Sequence, residues 1–354
     1  MTPLHRILLD RIETTGPINM ADYMAACLMD PEHGYYTTRT VFGSQGDFTT
    51  SPEISQIFGE LIGLCLAQTW LDQGAPQEFA LVELGPGRGT LLSDALRATS
   101  TVAGFRNAAR LHLVETSQTL REVQKGTLSQ YDIEWHDDLS TIPDLPLFLI
   151  ANEFFDALPV RQMVRHGDGW KEWMVTADGD QLMLEPSEAV TSCPELDFRL
   201  EDTRDGDLVE YCPALDGYVK KIGAQINARG GAALFIDYGD WRSLGDTVQA
   251  MQDHTYTDPL KDPGLADITA HVDFEAITRA TPSGFSRVTP QGIFLERLGI
   301  TPRAEQLAKN LSGQALDDLI AAHRRLTHPH EMGNLFKAIA LFPKNGQPPA
   351  GFET

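Results

Sequence analysis

The sequence predicts an α/β fold built on a doubly wound, mostly parallel sheet. Three observations carry that prediction. An apolar run, Phe79 to Val82, enters a turn rich in glycine and leads straight into a helix-forming stretch from Leu91. Strand-like and helix-like segments then alternate as far as Asn152. The same rhythm resumes after residue 212, with a helical pattern followed by the buried run Ala232 to Asp237.

The elements follow in order. Residues 1–30 read as two short helices around the Gly16-Pro17 break, the first with Leu4, Ile7, Leu8 and Ile12 on one face. Residues 31–52 are rich in Gly, Thr, Ser and aromatics and show no period, which is long for a connection without a function. Ser51 as N-cap and Pro52 at the first helical position predict one helix from about Glu53 to Trp70, closed by Gly74-Ala75-Pro76. Strands are predicted at 79–84, 111–115, 132–136 and 147–151, with helices at 90–98 and 117–128. Between 161 and 185, Asp168-Gly169 and Asp178-Gly179 mark an inserted hairpin arm. A helix at 212–228 precedes the strand ending at Asp237, residues 238–290 read as irregular, and helices fill 291–298 and 302–325. Leu335 to Phe342 is the last strand. The domain division expected is a helical lead and lid over 1–78, then a domain over 79–354 with insertions near 161–211 and 238–290.

Composition narrows the partners. Fifty acidic residues against 28 basic ones give a formal charge of −22. That field repels phosphate backbones and argues against nucleic acid, while cationic substrates are attracted. The cysteines, Cys27, Cys65, Cys193 and Cys212, form no C-x-x-C pair, which predicts neither structural zinc nor disulfides and fits a reducing compartment. No stretch reaches the length of a membrane span. Residues 1–13 mix Arg6 and Arg11 with Asp10 and Glu13, the pattern of an ordinary amphipathic helix rather than a signal or transit peptide, so a cytoplasmic location is expected. His328-Pro329-His330 lacks the spacing of a helical ligand pair, and no metal is expected.

The chemistry concentrates at strand ends, where open α/β sheets bind ligands. Gly85, Gly87 and Gly89 let backbone N–H groups approach a ligand, but Thr90 stands where a dinucleotide fingerprint wants its last glycine. Glu83 at the strand end would repel a pyrophosphate and bind an ammonium or hydroxyl, so the turn suits S-adenosyl-L-methionine better than NAD. Glu115 ends the second strand and can take both ribose hydroxyls. Asp138, after the third, can accept from an adenine amino group. The fourth ends at Asn152-Glu153, followed by Phe154-Phe155-Asp156, an aromatic, acidic slot suited to a cationic nucleophile.

Glu83–Thr90 and Asn152–Pro159 together resemble the MidA-like family of S-adenosylmethionine-dependent methyltransferases. Gly46–Ser55, Phe235–Gly239 and Asp267–Phe274 are further matching blocks, so the resemblance runs from 46 to 274. It implies a class I methyltransferase core, with Asp47, Thr50, Ser51 and Pro52 in a segment lying over the cofactor. It also implies methylation of arginine on a protein partner such as a respiratory complex I subunit. In that reading Asn152 joins the cofactor site, Glu153 and Asp156 grip the guanidinium, and Asp237 and His271 relay its proton. The competing readings are a non-catalytic assembly factor on the same scaffold and an NAD-dependent oxidoreductase.

Overall fold

The computed structural model describes residues 1–38 and 50–353. Six main strands form its central sheet: β1 Phe79–Leu84, β2 Ala109–Val114, β3 Ile133–His136, β4 Leu147–Asn152, β5 Gly231–Asp240 and β6 Phe336–Phe342. They lie in the order β6-β5-β4-β1-β2-β3, with the two-residue strand Gly284–Phe285 beyond β6. All neighbours from β5 to β3 are parallel, and β6 is antiparallel to β5. The result is an α/β fold on a mixed sheet. Chain order reverses at β1, because β2 lies on one side of it and β4 on the other. A crevice opens at such a reversal, beyond the strand C-termini.

Alternation along the strands assigns the two faces. Phe79 and Leu81 of β1, with Phe148 and Ile150 of β4, pack against one helical layer. Ala80, Val82 and Leu84, with Leu149 and Ala151, pack against the other. The helices that matter below are α1 Pro3–Thr15, α2 Met20–Met29, α3 Gln56–Asp72, α4 Thr90–Ala98, α5 Gln118–Thr127, α6 Leu215–Arg229, α7 Phe274–Ala280, α8 Gln291–Leu298, α9 Ile300–Ala308 and α10 Gln314–Thr327. The first layer holds α3, α4, α8, α9 and α10, and the second α6 and α7. Helices α3 and α4 approach closely because Gly63 has no side chain; a Cβ there would lie 2.6 Å from the Ala95 Cα. The Glu60 carboxylate, buried between Arg97 at 3.1 Å and Arg303 at 2.8 Å, ties α3 to α4 and α9.

Helices α1 and α2 pack on the inserted arm. The arm is larger than a hairpin: strands 161–166, 169–178, 181–186 and 208–211 join the two-residue strand Ile18–Asn19 in one antiparallel sheet. Three further differences from the sequence reading have local causes. The helix expected from Glu53 is two, because Ser55 caps the second turn (its Oγ accepts from the Ile57 N–H at 3.3 Å) and Ser51–Ile54 forms a short helix of its own. The helix expected over 302–325 breaks before Gly313, which adopts φ +58°. The region 238–290 is ordered: strands at 249–252, 255–257 and 267–269 form a small antiparallel sheet, and α7 follows with Asp273 as its N-cap.

Candidate active site

The turn after β1 needs its glycines. Gly85, Gly87 and Gly89 have φ of +57°, +53° and +80°, a region that penalises any side chain. At Gly85 space is also short, since a Cβ would lie 2.9 Å from the Phe154 ring. Gly89 closes the turn as N-cap of α4. Two cavities meet at this turn, and Gly85, Gly87 and Glu153 line both.

The smaller, about 40 Å³, is lined by Thr50, Pro52, Glu53, Glu83, Asn152 and the turn. Glu83 is 3% exposed, and among the described residues its Oε2 has no partner and the Oδ1 of buried Asn152 is likewise unpaired. Burial pushes the Glu83 carboxyl up to about 8. Two unpaired buried acceptors beside backbone at positive φ make a receptor for a small cation such as an α-ammonium group. Above them Thr90 donates to Glu53 at 2.5 Å, which fixes the short helix Ser51–Ile54 over the turn. The Ser51 N–H donates to Glu153 Oε1 at 2.9 Å. Asp47 lies outside the described residues, as does all of the 46–55 block before Thr50.

The larger cavity, about 220 Å³, is lined mostly by apolar groups, among them Leu28, Met29, Val114, Leu120, Phe154 and Tyr218, with Glu115 and Asp137 at its polar end. The Glu115 carboxylate accepts from the Ser117 N–H at 2.8 Å and from Gln124 Nε2 at 3.2 Å, so its orientation is set; burial raises its pKa against those bonds. Gln124 also donates to the Gly87 carbonyl at 2.8 Å and accepts from Trp135 Nε1 at 2.9 Å, joining the ends of β1 and β2 to β3. Asp138 does not line this cavity. It caps the turn at 139–141 through the Ser140 N–H, and its neighbour Asp137 faces the cavity instead.

Glu153, half-buried, is the hinge of the site. It is a non-glycine residue at φ +52°, a conformation that costs on the order of 1–3 kcal/mol. Its N–H donates to the Ile236 carbonyl at 2.9 Å, and its Oε1 accepts from Asn152 Nδ2 at 3.0 Å as well as from Ser51. Burial raises its carboxyl, and the Ser51 and Asn152 bonds oppose the rise. Asp237 holds the rest of the turn. Its Oδ2 accepts from the N–H groups of Phe154, Phe155 and Asp156 at 3.1, 2.9 and 3.3 Å, and its Oδ1 accepts from Tyr238 N–H at 3.0 Å. With four N–H donors on it, this carboxylate orders the turn. Asp156 is 7% exposed. Burial first, then the charges of Asp237, Glu153 and Asp267, push its carboxyl well up. Asp267 accepts from Tyr36 Oη at 2.8 Å, and Tyr36 reaches back into the larger cavity. His271 is carried elsewhere. It stacks edge-on against Tyr238 and lines a separate cavity of about 520 Å³ between the arm and α7.

Of the residues expected from the sequence, Thr50, Pro52, Glu83, Gly85, Gly87, Glu115, Asn152 and Glu153 line the two cavities and Asp156 lines neither, while Gln124, Tyr36, Asp267 and Glu53 were not among those expected. Gln124 had a signal: Leu120, Gln124 and Leu128 are spaced by four, so a polar residue sits on an apolar face. Tyr36 and Asp267 are separated by 231 positions and carry no local mark.

A family model described as "Putative S-adenosyl-L-methionine-dependent methyltransferase" matches residues 61–291. The chain belongs to this methyltransferase family. S-adenosyl-L-methionine is its cofactor, and the unpaired Glu83 and Asn152 acceptors, the glycine turn and the oriented Glu115 fit that molecule's ammonium and ribose. Relatives of the methyltransferase include the proteins named "Protein arginine methyltransferase NDUFAF7, mitochondrial" of Xenopus laevis and Homo sapiens. They are 36% and 37% identical to it, over 98% and 97% of this chain and 88% and 84% of theirs. A crystal structure from Burkholderia thailandensis, described as a "likely methyl transferase" bound to S-adenosyl-homocysteine, superposes with TM-score 0.84 at 28% identity, covering 98% of this chain and 94% of that one. The relatives' mitochondrial label overturns the expected cytoplasmic location. Four unpaired cysteines are compatible with more than one compartment and so do not fix the location. Among the described residues no helix is long and apolar enough to cross a membrane.

Proposed function

We propose that this methyltransferase has a class I, doubly wound core and methylates arginine on a protein partner such as a respiratory complex I subunit. The observation that carries the reading is Glu153: a strained carboxylate shared by both cavities, next to buried Asp156, in a chain whose relatives are named for arginine. The cofactor supplies an electrophilic methyl group. The chain's own residues bind and aim. Glu83 and Asn152 take the ammonium, Glu115 the ribose hydroxyls, and Thr50 to Pro52 cover the glycine turn. Glu153 and Asp156 grip two guanidinium N–H groups and turn the terminal nitrogen toward the methyl carbon, which holds the in-line geometry that displacement requires. Guanidinium is always charged in water, and the carboxylate pair stabilises the charge that persists on the group during transfer and accepts the proton that the methylated nitrogen gives up as the methyl–sulfur bond breaks. The relay proposed for Asp237 and His271 gains no support from the geometry, because Asp237 is occupied by backbone and His271 faces another cavity. Mass spectrometry of arginine methylation in the host, with and without this gene, tests the reading. One or a few lost sites on a respiratory subunit are expected, and an unchanged arginine profile overturns it.

Glu83 gives a second check. Its folded carboxyl stands near 8, above the ordinary carboxylate value. Between the two, the free folded protein carries a proton that the unfolded chain has lost, and the stability so gained fades as pH rises through about 8. A bound ammonium must displace that proton in the same window. S-adenosyl-homocysteine is therefore expected to bind up to about tenfold more tightly per pH unit from about pH 6 upward, levelling near 8. Calorimetry on wild type and Glu83→Gln checks this: the variant should bind weakly with a flat profile, and a flat wild-type profile would place the ammonium elsewhere.

A further inference from the structure

At the outer edge of the sheet the parallel pairing of β2 with β3 sets His112 opposite Glu134 and Val114 opposite His136. Strand pleating puts His112, Glu134 and His136 on one face. There the His112 Nδ1 lies 3.0 Å from the His136 Nε2 and 3.7 Å from a Glu134 carboxylate oxygen, and the three ligand atoms all fall within 4.8 Å of one another. Both rings are buried, at 2% and 8% exposure, whereas the Glu134 side chain is 73% exposed. His136 is oriented from behind by Thr141 Oγ1, 2.6 Å from its Nδ1, and the His112 Nε2 has no partner among the described residues.

We propose that His112, Glu134 and His136, none of which lines the two cavities at the glycine turn, form a binding site for a divalent transition metal of the zinc class. Tetrahedral zinc at about 2.0–2.1 Å spaces its ligand atoms roughly 3.3 Å apart. The separations of 3.0 and 3.7 Å need shifts of only a few tenths of an ångström to match, and the third, within 4.8 Å, closes by movement of the exposed Glu134 side chain. Two imidazoles and one carboxylate are a ligand set zinc accepts, with solvent on the Glu134 side for the fourth position. Burial lowers the pKa of both histidines, which keeps them in the neutral, ligating form. The Thr141 hydroxyl plays the part of an outer hydrogen-bond partner, taking the His136 Nδ1 proton so that Nε2 presents its lone pair. In the metal-free pair one proton lies between the facing nitrogens. On coordination it moves to the His112 Nε2, and both lone pairs turn to the ion with no net proton release. The ion would pin β3 to β2 one residue before Asp137, at the polar end of the larger cavity.

The test uses the full chain stripped with a chelator, with Zn²⁺ or Co²⁺ as the only addition. One equivalent of Co²⁺ should bind with the visible absorption of a tetrahedral site, and Zn²⁺ should displace it. Glu134→Gln, a change at an exposed side chain, should weaken Zn²⁺ binding on the order of 10–100-fold, and His136→Gln should abolish it. Zinc should raise the melting temperature of the wild type but not of His136→Gln. Equilibrium dialysis that finds no stoichiometric ion overturns the proposal. So does undiminished binding in Glu134→Gln, which would place the ion at another histidine such as His328 or His330.

Discussion

Replacing Glu153 by Gln is expected to lower methyl transfer about 100- to 1,000-fold, the range typical of losing one aimed electrostatic group, while S-adenosyl-homocysteine binds within about threefold of wild type. Glutamine keeps the shape and one acceptor oxygen, so the bond from the Ser51 N–H, 2.9 Å in the native site, can persist. What disappears is the negative charge facing the guanidinium. Asp156→Asn should behave alike, and the two losses should not add, because the carboxylates act on one group. Single-turnover methylation alongside cofactor titration separates the outcomes. Wild-type rates in both variants would make these side chains structural and send the search for the guanidinium grip elsewhere.

Asp237→Ala should instead cost stability, about 3–5 kcal/mol, as expected when a buried charged acceptor is removed from donors left behind. Four N–H groups converge on that carboxylate. Asp237→Asn restores only part of it, because its amide NH₂ must face an N–H. Urea denaturation and cofactor titration of both variants check the assignment. An unchanged midpoint in Asp237→Asn together with lost activity would give this residue a chemical role after all.

Asp237 also shows where sequence reading stops. As a carboxylate at a strand end it looks like Glu83 and Glu115, yet three of its four partners lie 81–83 residues away and only the pairing of β5 with β4 brings them there. By contrast β1 was legible to the residue, because Phe79 to Leu84 is an apolar run bounded by proline and glycine, with Glu83 as its one charged interruption. Asp138 and Asp137 were indistinguishable as letters; which one faces the cavity depends on the turn that Asp138 caps. The break at Gly313 had a visible cause, the run Lys309 to Gly313, which a helical period on either side concealed. Ser51, read as an N-cap, is instead the first residue of the short helix, with Thr50 at the N-cap position, Ser55 capping the next helix, and the Ser51 N–H given to Glu153.

Strand β6 has a consequence for biosynthesis. Its core residues Ala338, Ile339, Ala340 and Leu341 are all fully buried, and it pairs along β5, the strand that carries Asp237. A ribosome must translate some hundred residues beyond β5 before β6 emerges. Throughout that interval the nascent chain holds an unpaired, apolar β5 edge, the kind of edge that joins other chains. A chaperone that shields strand edges would be needed most in that window.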